Sequence, residues 1–221
     1  MQKRFGLTAD DTTICSFDLG TSAPDPLSAP PFFAPNSSRR TPMRPMLLMV
    51  GTIEPRKGHV QVLNAFDVLW RNGTEVELVI VGAPGWHVEP VVDLLTQHPQ
   101  NERRLFWLRD TDDAQLEALY ARADGLVMAS EAEGFGLPII EAARHGKPLF
   151  LRDLDVFHEV AREHATYFRA TTGEALALQL SDWLAQLAAG TAPTSEAIKP
   201  VTWATSAAQL KALIATLAGT A

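Results

Sequence analysis

The chain has 221 residues, 46% hydrophobic and 20% charged, with 19 Lys and Arg against 26 Asp and Glu for a net charge of −7. That is enough apolar material for a real core and one large domain, and the acidic balance, without a long Lys/Arg run, argues against a nucleic-acid surface. The single Cys15 cannot form an internal disulfide and has no ligand-spaced companion, so no structural zinc and a reducing, cytoplasmic setting are expected. The residues after Met1 lack the apolar core of a signal peptide, and no stretch is long and apolar enough to span a bilayer. Peripheral attachment to the inner membrane stays open.

Taken in chain order, "TTICSFDLG" is one short strand-like run ending at Gly20, too little for a domain. Residues 1–20 read as the remnant of an absent N-terminal domain. Seven of the fifteen prolines fall in "PDPLSAPPFFAPNSSRRTPMRP", where missing N–H groups and fixed φ oppose helix and central strand; residues 21–45 are a linker. From Met46 to Ala221 short apolar runs alternate with segments of helical period, the mark of βαβ units. Strands are predicted at 46–51, 76–82, 104–109, 125–130, 148–152 and 165–169. Helices are predicted at 59–71, 88–98, 113–123, 137–145, 156–164, 172–188 and 202–217. The fold class that follows is α/β, a doubly wound Rossmann-like parallel sheet, whose ligands sit beyond the carboxyl ends of the strands near a topological switch point.

The loops that leave the strands then carry the chemistry. After the first strand, "GTIEPRKGH" puts Gly51 where backbone can approach a ligand, with Arg56 and Lys57 just before a helix N-terminus that also favours negative charge. A diphosphate suits a guanidinium fork beside a mobile ammonium; a solvated basic turn is the plainer alternative. After the fourth strand, "EAEGFGLPIIEAARHGKP" opens a helix with Pro138 at an early position, where its missing N–H is no loss. The amides of Phe135, Gly136, Leu137, Ile139 and Ile140 are candidate anion donors. Glu141 lies one helical turn beyond Leu137, where a carboxylate can accept from a ribose diol. Glu133 precedes the turn and can reach toward whatever the diphosphate carries. Plainer alternatives are a carboxylate complementing the helix dipole and a solvated helix position.

Asp110-x-Asp112 resembles a metal-binding pair, but an N-cap role for one of the two fits better, and Asp153-x-Asp155 reads the same way; no metal is predicted. His59 and His158 are assigned surface or capping roles. Trp86 is read as a lid or packing residue, Trp107 as core and Trp203 as an anchor.

"EGFGLPIIEA" resembles the E-x7-E motif of the retaining GT-B glycosyltransferases related to family 4. "VGTIEPRKGH", "LVIVGAPGW", "LEALYARADGLVMAS" and "DVFHEVAREHATYF" resemble that family's successive donor-domain motifs, in order, over Met46 to Leu217. The resemblance implies the C-terminal, donor-binding half of such an enzyme. It would move a hexose, with mannose the candidate, from a nucleotide-diphosphate sugar to a glycan or lipid-linked acceptor hydroxyl with retention, as in polysaccharide biosynthesis. It implies catalytic roles for Arg56, Lys57 and Glu133, with the two cations on the diphosphate and Glu133 on the sugar hydroxyls. Gly51, Thr52, Phe135, Gly136, Leu137 and Glu141 would complete the substrate site, with Leu108 and Arg109 near the base. The donor is a substrate, and no cofactor is implied. Thr52 stands where many members have Arg, which leaves most of that charge to Arg56. The acceptor side would come from a missing N-terminal domain or a partner chain, and the last helix, deprived of its partner, could drive self-association. The alternative is a non-catalytic nucleotide-sugar-binding module or the partner half of a split enzyme.

Overall fold

In the computed structural model, residues 44–199 and 203–219 are described. The expected remnant over 1–20, all of the expected linker but Arg44 and Pro45, and the side chain of Trp203 lie outside the described residues.

The body alternates strand and helix throughout. Its elements are β1 (Met46–Val50), a 3-10 turn (Pro55–Lys57), α1 (His59–Arg71), β2 (Glu77–Val81), α2 (Glu89–Thr96), β3 (Leu105–Leu108) and α3 (Asp113–Arg122). Then follow β4 (Gly125–Met128), α4 (Leu137–Arg144), β5 (Leu149–Arg152), α5 (Asp155–Ala161), β6 (Thr166–Phe168) and α6 (Gly173–Ala189). A separate unit contains α7 (Trp203–Gly219). The strands form a six-stranded sheet in the order β3-β2-β1-β4-β5-β6, every neighbouring pair parallel. The predicted α/β doubly wound, Rossmann-like class is the observed one.

Strand geometry explains both the buried runs and the two helical layers. Successive side chains point to opposite faces, so Leu47, Met49, Leu78 and Ile80 pack with Val62 and Phe66 of α1 and Leu180 and Trp183 of α6. Met46, Leu48, Val79 and Val81 pack on the other face with Leu119 and Tyr120 of α3, Ile139 and Ile140 of α4 and Phe157 of α5. A sheet covered on both faces has no solvent face to make polar, hence unbroken "MLLMV" and "ELVIV" in place of alternation.

Helix starts follow local chemistry. Asp112 caps α3, its Oδ1 accepting from the Gln115 amide at 2.7 Å while its own amide donates to Gln115 Oε1 at 3.1 Å. Asp153 differs from expectation. The residue before α5 is Leu154, with no side-chain cap, and Asp153 instead bonds His158 Nε2 at 2.6 Å and Arg169 Nε, so its carboxylate is occupied by side chains of α5 and of the β6 end. Among the described residues no helix is long and apolar enough to cross a membrane.

The sequence of strands reverses direction between β1 and β4, the switch point at which adjacent loops part and leave a crevice. Gly58 sets how close those loops come. It has φ +74°, and a Cβ there would lie 2.3 Å from the Ala129 carbonyl oxygen at the end of β4. Gly73 has φ +82° with nothing within 4 Å. Gly73→Ala is therefore expected to cost only the left-handed strain, about 1 to 2 kcal/mol, whereas Gly58→Ala should cost roughly 2 kcal/mol more because backbone must move. Urea midpoints of the two variants check the difference.

Candidate active site

The loop after β1 is zipped onto the loop after β2. Gly51 donates to the Val81 carbonyl, Ile53 to Ala83 and Gly85 back to Ile53, each at 2.9 Å. Gly82 permits this approach, since a Cβ there would lie 2.1 Å from the Gly51 carbonyl oxygen. Pro55 then starts a 3-10 turn that Gly58 converts into α1. This lifts Arg56 and Lys57 over the end of β4, where the Glu131 amide donates to the Arg56 carbonyl at 2.7 Å.

Three predicted catalytic residues meet there. Lys57 Nζ lies 2.5 Å from Glu133 Oε1, which also accepts from Ser130 Oγ at 2.8 Å. Arg56 NH1 donates to the Ala132 carbonyl at 2.7 Å and lies 3.3 Å from Glu133 Oε2, while its Nε pairs with Glu54 at 2.8 Å. The Glu133 side chain is 8% exposed. Burial alone would raise its pKa, but hydrogen bonds from Lys57 and Ser130, with the charges of Lys57 and Arg56, outweigh it and hold the carboxyl below its usual range. Lys57 Nζ overlies Gly51, where an added Cβ would be 3.7 Å away. Thr52 is exposed beside it.

Gly136, at φ +93°, begins α4 and makes no side-chain cap. A Cβ there would lie 3.0 Å from Ile139 Cδ1 and 3.1 Å from the Phe157 ring, so the close packing at this entry favours glycine twice over. Among the described residues the amides of Phe135, Gly136 and Leu137 donate to no protein acceptor. The Ile139 amide is not such a donor, because the first turn tightens and it bonds the Gly136 carbonyl at 2.9 Å. Glu141 has a different partner, its Oε2 accepting from Tyr120 at 2.6 Å. Leu108 is half-buried at the end of β3, and the Arg109 guanidinium lies 3.9 Å over Trp107. Trp107 is only partly buried and donates to the Gly82 carbonyl at 2.9 Å.

A profile of glycosyl transferases group 1 matches residues 33–193. The chain belongs to the glycosyl transferase group 1 family. It is 43% identical over 197 residues to the serotype-specific mannosyltransferase WbdA of Escherichia coli, covering 88% of this chain and 24% of that protein. It is 34% identical over 114 residues to the Escherichia coli O-antigen chain mannosyltransferase B, covering 51% of this chain and 30% of that protein. Thus it spans about a quarter to a third of these relatives' length. Among solved structures, Anabaena Alr3699/HepE in complex with UDP and glucose matches with TM-score 0.65 at 21% identity, over 78% of this chain and 48% of that one. The C-terminal domain of the group 1 protein LpcC from Francisella tularensis matches with TM-score 0.59 at 19% identity, over 68% and 82%. These likenesses show the GT-B glycosyltransferase fold.

Three residues of the site region were missed or misread from the sequence. Ser130, three residues before Glu133, could have been noticed as a hydroxyl at a strand end. Tyr120 carries no local signal. His59, expected at the surface, is 3% exposed, because Gly58 turns the first helical residue inward, and its Nδ1 has no partner. Burial lowers its pKa from 6.5 to about 4, with the Glu54 carbonyl opposing and the Lys57 charge assisting. The stability tied to this neutral imidazole is complete above pH 6.5 and is lost as pH falls from there toward 4, since only the unfolded chain gains the proton. Between pH 7 and 5 the protein should lose about 2 kcal/mol more than a His59→Asn variant. Urea unfolding at the two pH values checks this, and parallel losses would show that His59 titrates normally.

Proposed function

We propose that this chain is the donor-binding half of a retaining glycosyltransferase, transferring a hexose from a nucleotide-diphosphate sugar to a glycan or lipid-linked acceptor hydroxyl. The carrying observation is the meeting of Arg56, Lys57 and Glu133 across the β1/β4 crevice, beside the free amides at the start of α4. Mannose is favoured because relatives named mannosyltransferases include one 43% identical over 88% of this chain. A nucleotide donor is favoured because structures of the same fold are complexes with UDP, UDP-glucose, or UDP and glucose.

Charge arithmetic shapes the mechanism. Arg56 and Lys57 are balanced by Glu54 and Glu133, so a diphosphate does not enter a vacant positive pocket. It exchanges partners: Lys57 and Arg56 turn from Glu133 to the phosphates, joined by the Gly136 and Leu137 amides, and Glu133 turns to the hexose hydroxyls. As the bond from the anomeric carbon to the β-phosphate oxygen breaks, charge grows on the leaving diphosphate, where these donors stabilise the transition state more than the ground state. The acceptor oxygen bonds the same sugar face, and its proton passes to the departing phosphate oxygen. Glu133, held by cations, is not required as a nucleophile. Glu141 takes the ribose diol, and the turn after Leu108 and Arg109 lies near the base.

The acceptor is assigned to a second domain or partner chain, with the reaction in the cytoplasm at the membrane face. The donor is substrate, and no resident cofactor is invoked.

Calorimetric titration of the protein with GDP, UDP, GDP-mannose and UDP-glucose tests the site. Lys57→Met is expected to weaken the tightest ligand tenfold or more, as loss of a charge-assisted hydrogen bond of about 1.5 to 3 kcal/mol implies. Glu133→Gln should weaken the sugar nucleotide more than the free nucleoside diphosphate. Unchanged affinity in Lys57→Met overturns the assignment.

A further inference from the structure

Glu141 belongs to a two-rung latch between α3 and α4. Residues 117 and 120 lie one turn apart on α3, and residues 141 and 145 one turn apart across α4 and its C-terminal cap. On one rung the Tyr120 hydroxyl donates to Glu141 Oε2 at 2.6 Å. On the other, Glu117 Oε2 lies 2.6 Å from His145 Nε2. The two rings between them are stacked, their centroids 5.9 Å apart and their planes 11° from parallel.

Tyr120 is only 1% exposed, its ring packed in the core with Leu119, Ile139, Ile140 and Ala143. A buried phenol needs a partner for its hydroxyl, and among the described residues Glu141 is the acceptor it uses. Burial, then the adjacent Glu141 charge and hydrogen bond, push the phenol well above its ordinary pKa, so the donor persists at any working pH. Glu141 itself is only half-buried. One carboxylate oxygen is thus tied to the core, while among the described residues the other accepts from no protein donor that would compete with a ligand hydroxyl.

We propose that Tyr120 is a positioning residue for donor recognition, fixing Glu141 through one carboxylate oxygen so that the other is presented to the vicinal hydroxyls of a ribose. The proposal rests on the reading of Glu141 as the ribose acceptor. The gain is preorganisation. A free glutamate would lose side-chain rotamer entropy on gripping the diol, whereas one clamped by a core phenol has already lost it on folding. The selectivity is for ribonucleotides over nucleotides lacking those hydroxyls, not for a base or a sugar.

Tyr120→Phe removes only the hydroxyl and keeps the ring. Titrations of the full chain with GDP, UDP and their 2′,3′-dideoxy counterparts would compare wild type, Tyr120→Phe, Glu141→Ala and Glu117→Gln. Wild type should prefer the ribonucleotide, Glu141→Ala should erase that preference, and Tyr120→Phe should reduce it by about tenfold, the scale of one hydrogen bond to a charged group. Affinity for the dideoxy nucleotide should stay within about twofold, which a merely structural loss would not spare. Glu117→Gln should retain the preference.

If Glu141→Ala erases the preference and Tyr120→Phe retains it, this inference fails while the ribose reading stands. Equal weakening of both nucleotides in Tyr120→Phe, or loss of the preference in Glu117→Gln, likewise overturns it, since helix placement would then be the cause. A preference that survives Glu141→Ala, or that wild type lacks, removes the ribose reading and the inference with it.

Discussion

A nearly buried carboxylate holds the two sides of the crevice together. Glu133 leaves the β4 loop, and the donors that reach it include Lys57 and Arg56 from the β1 loop as well as its own neighbour Ser130. Removing one partner from such a cluster leaves an uncompensated buried charge, which is costly. Replacing the whole cluster by apolar residues would cost less. Its presence is accordingly better explained by what the groups can do than by stability. The neighbouring backbone leaves little freedom for the cluster to drift, with Gly58 pressed on Ala129, Gly82 on Gly51 and the Arg56 carbonyl bonded from Glu131.

That rigidity bears on catalysis through preorganisation. Backbone amides at a helix start do not reorient as charge develops, so under the proposed mechanism they would stabilise a leaving diphosphate without a reorganisation cost. The lysine and arginine side chains can move, and in this protein they rest on Glu133. The site therefore combines fixed donors at α4 with mobile cations at the 3-10 turn. Glu141 is an acceptor held in place by the Tyr120 hydroxyl, although a glutamate on a helix surface would ordinarily be free. Each of the two acids flanking the start of α4 has its own donors in the folded protein, Lys57 and Ser130 for Glu133 and Tyr120 for Glu141.

The fold was legible for a physical reason. A parallel sheet buried on both faces leaves runs such as "MLLMV" that no surface element would carry, and Asp112 and Pro138 mark helix starts through local chemistry. The loops were legible in part because Arg56, Lys57 and Gly136 stand where the backbone puts them, at strand ends and helix starts. What escaped is set by tertiary packing. Tyr120 and Glu141 are 21 residues apart, and neither position foretells the other. His59 reads as a polar helix start until the left-handed Gly58 is known to turn it inward. Asp153 reads as a cap until β6 brings Arg169 beside it.

The most direct test is a crystal structure of the protein with GDP-mannose or UDP-glucose bound. The expected result is a diphosphate touching Lys57 Nζ and the Gly136 and Leu137 amides, with Glu133 moved onto a hexose hydroxyl. A diphosphate bound elsewhere, with the Lys57 to Glu133 pair still closed, would contradict it.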